Sequence, residues 1–227
     1  MFIEVPNLLL RFAREGDLEN MKQLFECINQ EDQNEIGVRS KEVYQTENSS
    51  LVNINRSSVC RTPLMEAIMK GHILVAKYLI VKQNACVDAR DFNQDTALIQ
   101  AARNDNIEAV KLLLDHNVNI KAQNRYGGHA AYYAALNGDN EILSLLIEKE
   151  DEVIDLKGSF GCTPLIAASE EGRVDVCKYL IGRKADINIQ DDKGETAIQI
   201  ASNNNHIDIV DFLKQNGAND SENVNVH

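Results

Sequence analysis

Apolar and polar positions along this chain keep one register over most of its length. With Thr62, Thr96, His129, Thr163 and Thr196 as origins, the pattern returns every 33 or 34 residues. Two residues after the origin stand Leu64, Leu98, Ala131, Leu165 and Ile198; five after it stand Ala67, Ala101, Ala134, Ala168 and Ala201. Seventeen after it stand Leu79, Leu113, Leu146, Leu180 and Leu213, and three before those Ala76, Val110, Leu143, Cys177 and Val210. Two apolar faces at helical spacing, split near Gly71, Gly138 and Gly172, predict a helix, a turn and a second helix in each copy. Burying a Leu or Ile contributes roughly 1.5–3 kcal/mol, but only when a neighbouring copy covers it. No copy is expected to fold alone.

The ends of the array read differently. Asn7 to Cys27 keeps the alanine and glycine of a helix pair in Ala13 and Gly16, yet lacks the Thr-Pro-Leu step and carries Arg11, Arg14 and Lys22. One face then meets a neighbour and the other meets water, as in a capping copy. Gly16 and Gly71 lie 55 residues apart, so about 22 residues are inserted between Ile28 and Arg56. That stretch is rich in Glu, Gln, Asn and Ser and predicts a long polar loop, which costs little because loop-closure entropy grows only logarithmically with length. In the last copy Lys214 replaces the Ile80, Leu114, Ile147 and Ile181 of its column, which marks the other cap.

Gly158 to Asp191 is the best-formed copy. Its Thr163-Pro164-Leu165 and Ala185-Asp186-Ile187-Asn188, with Thr62-Pro63-Leu64 and Gly71-His72, resemble the ankyrin repeat. The resemblance covers roughly residues 5–27 and 57–219 and implies an all-α solenoid of stacked helix-turn-helix units with β-turn fingers. Residues 1–27 would form an N-terminal capping repeat, 28–56 the inserted polar loop, 57–189 four repeats, 190–219 a C-terminal capping repeat and 220–227 a frayed tail. It further implies a non-catalytic scaffold that binds a protein in a concave groove beside the turn tips, with no cofactor and no metal. The alternative is an adaptor or inhibitor subunit controlled through the 28–56 loop.

Charge and cysteine content narrow the partners. The formal net charge is −12, which disfavours attraction to nucleic-acid phosphate or anionic lipid and points to a basic or amphipathic protein partner. Five cysteines, at positions 27, 60, 86, 162 and 177, have no Cys-x-x-Cys spacing and suggest a reducing compartment, cytoplasmic or nuclear. Neither a signal peptide nor a membrane span is expected, and the array is expected to be monomeric.

Candidate chemistry is sparse. No HExxH, GxSxG, GxGxxG or GxxxxGK[ST] run occurs. His72 and His206 share one structural column, His116 ends a helix, and His129 replaces a threonine. Asp91 and Asp191 are expected to hydrogen-bond within their own turns, while Cys60 and Gln94 stand where a turn glycine is usual. The fourth copy also carries seven acids against Lys149 between Asp139 and Asp155, read as a solvated face or a docking patch for a basic segment. The sharpest signal is at the turn tips: Phe92, Arg125-Tyr126 and Phe160 place rings on three successive turns in a chain with 5% aromatics. Phe92, Arg125, Tyr126, Tyr132 and Phe160 are therefore the candidate partner-binding residues, with Tyr133, Met69 and Leu136 as extensions of the patch. Asn188 resembles the asparaginyl-hydroxylation site of ankyrin repeats; its alternative role is to tie its loop together.

Overall fold

A threonine hydroxyl opens most of the inner helices. The computed structural model describes residues 4–34 and 61–219. In it Thr62, Thr96 and Thr163 are N-caps whose Oγ1 atoms accept from the amides of Met65, Ile99 and Ile166 at 3.2, 3.3 and 3.4 Å. Such a cap satisfies an orphan amide and stabilises by about 1 kcal/mol. Thr196 forms a capping box, its own amide donating to Gln199 Oε1 at 2.9 Å.

Helices follow in pairs, as the periodicity predicts: α1 (Glu4–Glu15) with α2 (Leu18–Asn34), α3 (Pro63–Met69) with α4 (Ile73–Gln83), and α5 (Ala97–Arg103) with α6 (Ile107–Leu114). They continue with α7 (Ala130–Asn137) and α8 (Asn140–Lys149), α9 (Pro164–Glu170) and α10 (Val174–Gly182), and α11 (Ala197–Asn203) and α12 (Ile207–Gln215). Among the described residues there is no strand; one isolated bridge joins Gln190 and Thr196. The chain divides into two compact units, one ending at Val118 and one beginning at Asn119. In the first, α1, α3 and α5 pack as an inner row, with α4 and α6 paired behind it. In the second, α7, α9 and α11 form the inner row and α8, α10 and α12 the outer. The alanine column from Ala67 to Ala201 is fully buried, which is where the inner helices approach.

Between the repeats a second device recurs. The residue after each inter-helix turn reaches back to a carbonyl at the end of the preceding inner helix. His72 Nε2 donates to Arg14 O at 3.0 Å, Asn106 Nδ2 to Ile68 O at 3.2 Å, Arg173 Nε to Leu136 O at 3.0 Å and His206 Nε2 to Glu170 O at 3.0 Å. The His72 ring lies against Gly16 and the His206 ring against Gly172. Both histidines thus satisfy helix-end carbonyls. In the fourth repeat the column holds Asp139, whose Oδ1 caps α8 by accepting from the amides of Glu141 and Ile142, both at 2.9 Å.

One reading of the chain changes. Residues 28–34, expected as the start of the inserted loop, are helical, because α2 continues to Asn34; Gln and Glu are good helix formers and no Gly or Pro intervenes before Gly37. The rest of that loop, Cys60 and the tail from residue 220 lie outside the described residues. In the fourth repeat α8 is followed by a 3₁₀ turn, Asp151–Ile154, whose Val153 is fully buried. In the last repeat Ile207 is 69% exposed and Lys214 is exposed.

Sequence reasoning missed two buried carboxylates. Glu66 meets Arg14 Nε at 3.2 Å and Arg61 at 3.6 Å. Asp95 takes a forked pair from Arg103 at 2.8 and 3.2 Å and a bond from Gln100 at 3.0 Å. Buried charge persists where it is paired in this way. The signal, an acid and a base three or more residues apart on different elements, is not periodic and so was not legible.

Candidate functional site

The finger tips are built from one local motif and one exception. In the Asp91 turn, Asp91 Oδ1 accepts from the amides of Asn93 at 2.8 Å and Asp95 at 2.9 Å. Asn124 Oδ1 does the same for Tyr126 at 3.0 Å and Gly128 at 2.9 Å, and Asp191 Oδ1 for Lys193 at 2.8 Å and Glu195 at 2.9 Å. The side chain stands in for a backbone turn, as expected for Asp91 and Asp191. The fourth residue of each turn then takes positive φ: Gln94 at 62°, Gly127 at 84° and Gly194 at 82°. At Gln94 a side chain bears the conformation that glycine adopts without cost.

The Gly158 turn lacks the capping side chain. It closes through Gly158 N–H to Cys162 O at 2.8 Å and Cys162 N–H to Ser159 O at 3.0 Å. Here Phe160 is left-handed, φ 56° and ψ 27°, as is Gly161 at φ 74°. A bulky residue with positive φ is rare and strained. Phe160 is also 78% exposed, the most exposed large hydrophobic side chain among the described residues.

The other candidates divide. Tyr126 is 61% exposed on the fourth-repeat tip beside exposed Arg125. Within the second unit, the Gly127, Gly158 and Asp191 turns adjoin one another. A Cβ built on Gly127 would lie 3.0 Å from Gly158 O, and Asp192 N–H donates to Phe160 O at 3.0 Å. Tyr126 and Phe160 therefore stand on neighbouring fingers. Phe92, 54% exposed, tips a turn of the first unit. Tyr132 does not belong to this surface. It is 9% exposed, its ring lying where a Cβ on Gly158 would be, 2.9 Å away. Burial pushes its hydroxyl up to about 12 while a hydrogen bond to Ser159 opposes the shift. Tyr133 is half-buried, its hydroxyl accepting from Asn124 Nδ2 at 3.0 Å. Met69 and Leu136 are half-buried at the ends of α3 and α7, in different units.

The remaining titratable groups serve the scaffold. His129 is buried at the N-cap of α7, where Nδ1 accepts from Tyr132 N–H at 3.3 Å and Nε2 donates to Leu156 O at 3.0 Å. Only a neutral ring can do both, and burial lowers its pKa to about 4 against the opposing Leu156 bond. His116 bonds the Leu112 carbonyl at 2.8 Å. Burial pushes the Cys162 and Cys177 thiols up to about 11, so both are inert. The acidic run is partly used internally: Lys121 bridges Glu150, at 2.7 Å, and Glu152, and Asp155 accepts from Asp186 N–H at 3.0 Å. Asn188 is exposed; its Oδ1 accepts from Asn219 N–H at 3.0 Å and its amide donates to Asp186 at 2.9 Å. Among the described residues no group of His, Cys, Asp or Glu is placed to hold a metal ion, and no helix is long and apolar enough to cross a membrane.

A family model of ankyrin repeats, in three copies, matches residues 7–124 and 131–225. The chain belongs to the ankyrin-repeat family. Among its relatives, Protein glp-1 of Caenorhabditis elegans is 28% identical over 167 residues, covering 68% of this chain and 13% of that protein. Neurogenic locus notch homolog protein 2 of Homo sapiens is 33% identical over 144 residues, covering 62% of this chain and 6% of that protein. Neurogenic locus notch homolog protein 1 of Homo sapiens is 33% identical over 130 residues, covering 57% and 5%. The ankyrin chain thus spans a small part of the length of these relatives. Ankyrin repeats are in general non-catalytic protein–protein interaction modules.

Proposed function

We propose that this ankyrin array binds a protein partner through the adjoining fingers of its second unit, with Tyr126 and Phe160 as apolar anchors and Arg125 as their polar rim. The observation that carries this reading is Phe160: a large ring, 78% exposed, on a strained left-handed backbone. Strain of this kind persists where the surroundings impose it, and it gathers at binding sites. The net charge of −12 favours a basic or amphipathic partner. Fingers whose backbones are already closed by hydrogen bonds lose little ordering entropy on binding.

The test is capture from cells of the source, comparing the wild-type chain with Tyr126→Ala/Phe160→Ala at matched melting temperature. Loss of two anchors of hot-spot rank costs about 4 kcal/mol, enough to abolish retention. A partner retained equally by both chains would move the binding surface elsewhere.

A further inference from the structure

Phe160 differs from its counterparts on the other fingers in one respect. Among the described tip residues 92, 93, 125, 126, 159, 160, 192 and 193, only Phe160 has positive φ. The turns around Asp91, Asn124 and Asp191 avoid it because an Asx oxygen gathers two amides. Position 158 has no such oxygen, and the space beside its Cα is already filled. A Cβ there would meet Tyr132 Cδ2 at 2.9 Å, Tyr132 Cγ at 3.0 Å and the Cys162 carbonyl at 3.2 Å. The Tyr132 column otherwise reads Met65, Ile99, Ile166 and Gln199; the fourth repeat alone places an aromatic ring there. That ring is held at its edge and at its hydroxyl. It stacks edge-on against Tyr133 at 5.2 Å and its hydroxyl bonds Ser159, the residue before Phe160, while the backbone amide of Tyr132 is capped by His129.

We propose that Tyr132 is a positioning residue for the fifth-repeat finger: its ring fills the space an Asx side chain at 158 would need, and so holds Phe160 left-handed and outward. The competing cause is the sixth repeat, whose Asp192 amide donates to Phe160 O at 3.0 Å. The consequence for binding rests on the reading that Phe160 is an anchor. The conformational statement does not.

A thermal-melting cycle separates these. In the wild-type chain Phe160→Gly relieves the left-handed penalty and raises Tm by roughly 2–4 °C. Tyr132→Ile/Gly158→Asp restores the side chains of the other turns. In that background residue 160 is right-handed, and Phe160→Gly lowers Tm by about 2 °C through added unfolded-state entropy. Tyr132→Phe keeps the ring, so there the rise persists. A shift of the same sign in both the wild-type and the restored chain overturns the proposal and assigns the conformation to Asp192. Backbone chemical shifts of Phe160 in the folded restored chain give the same decision: left-handed values overturn it. If neither Tyr132→Ile/Gly158→Asp nor Tyr132→Leu/Gly158→Asn folds while Tyr132→Ile alone does, position 158 rejects an Asx for a reason other than the ring, and the proposal falls. No partner enters this cycle, so it stands or falls apart from the binding reading. Where capture has identified a partner lost on Phe160→Ala, the restored chain, though it keeps Phe160, is expected to lose that partner too.

Discussion

At Asp191 a single carboxylate oxygen takes the amides of Lys193 and Glu195, and the turn needs one positive φ, carried by Gly194. At Gly158, on the adjoining finger, there is no side chain to accept, and two successive residues, Phe160 and Gly161, take positive φ. The two turns occupy the same place in the repeat. Both close within five residues, but one does so with a side-chain acceptor and the other through backbone bonds alone, with the Tyr132 ring beside it. The side-chain acceptor goes with ordinary tip residues, whereas the turn without one carries an exposed phenylalanine under strain.

The comparison breaks most sharply at Gly161. A Cβ there would lie 2.3 Å from Asp192 Oδ1 on a backbone at φ 74°. Gly161→Ala is expected to cost about 3–4 kcal/mol in urea denaturation, adding overpacking to the left-handed penalty. Gly194→Ala, judged on its φ alone, is expected to cost about 1–2 kcal/mol.

His129 sharpens it through pH. Its folded pKa of about 4 lies below the 6.5 of an ordinary histidine. Above pH 6.5 both folded and unfolded rings are neutral and this stability is fully present. As pH falls from 6.5 to 4 the unfolded ring takes up a proton first, and about 3 kcal/mol is lost. The affected bonds are the α7 cap and the Leu156 carbonyl two residues before Gly158. His129→Thr, which restores the hydroxyl cap of the other repeats, is expected to flatten that part of the pH–stability profile while leaving the carboxylate-driven loss below pH 4.

Asp191→Ala should cost about 2 kcal/mol, since two amides lose a charged acceptor. Asp191→Asn should cost under about 1 kcal/mol, because Asn124 closes its own turn with the same amide oxygen geometry. The smallest effect is at the tips. Phe160→Asn should stabilise by about 0.5 kcal/mol, asparagine being better suited to the left-handed region, while Lys193→Asn should stay within about 0.5 kcal/mol of neutral.

Most of the scaffold was legible because its causes are short-range or periodic. The threonine caps act over three residues, the Asx turns over four, and the alanine and leucine columns repeat with the helix pair. The shared role of His72 and His206 was legible for the same reason. Tyr132 was read as a candidate partner-binding residue, and its burial was not legible because adjacent positions on a short helix give no sign of which ring turns inward. Its ring lies against Gly158, 26 residues away by sequence number. The buried pairs Glu66–Arg14 and Asp95–Arg103 escaped for a related reason: charge on a helix reads as solvated until a neighbouring element is placed over it.

From residue order alone came the repeat, the helix pairs and the exposed rings at Phe92, Tyr126 and Phe160, since each follows from periodicity or from bonds made within a few residues. Tertiary structure alone decided which of the fourth repeat's tyrosines is core and that its ring lies against Gly158. Those outcomes are set by volume shared between successive repeats, and excluded volume carries no periodic trace in a sequence.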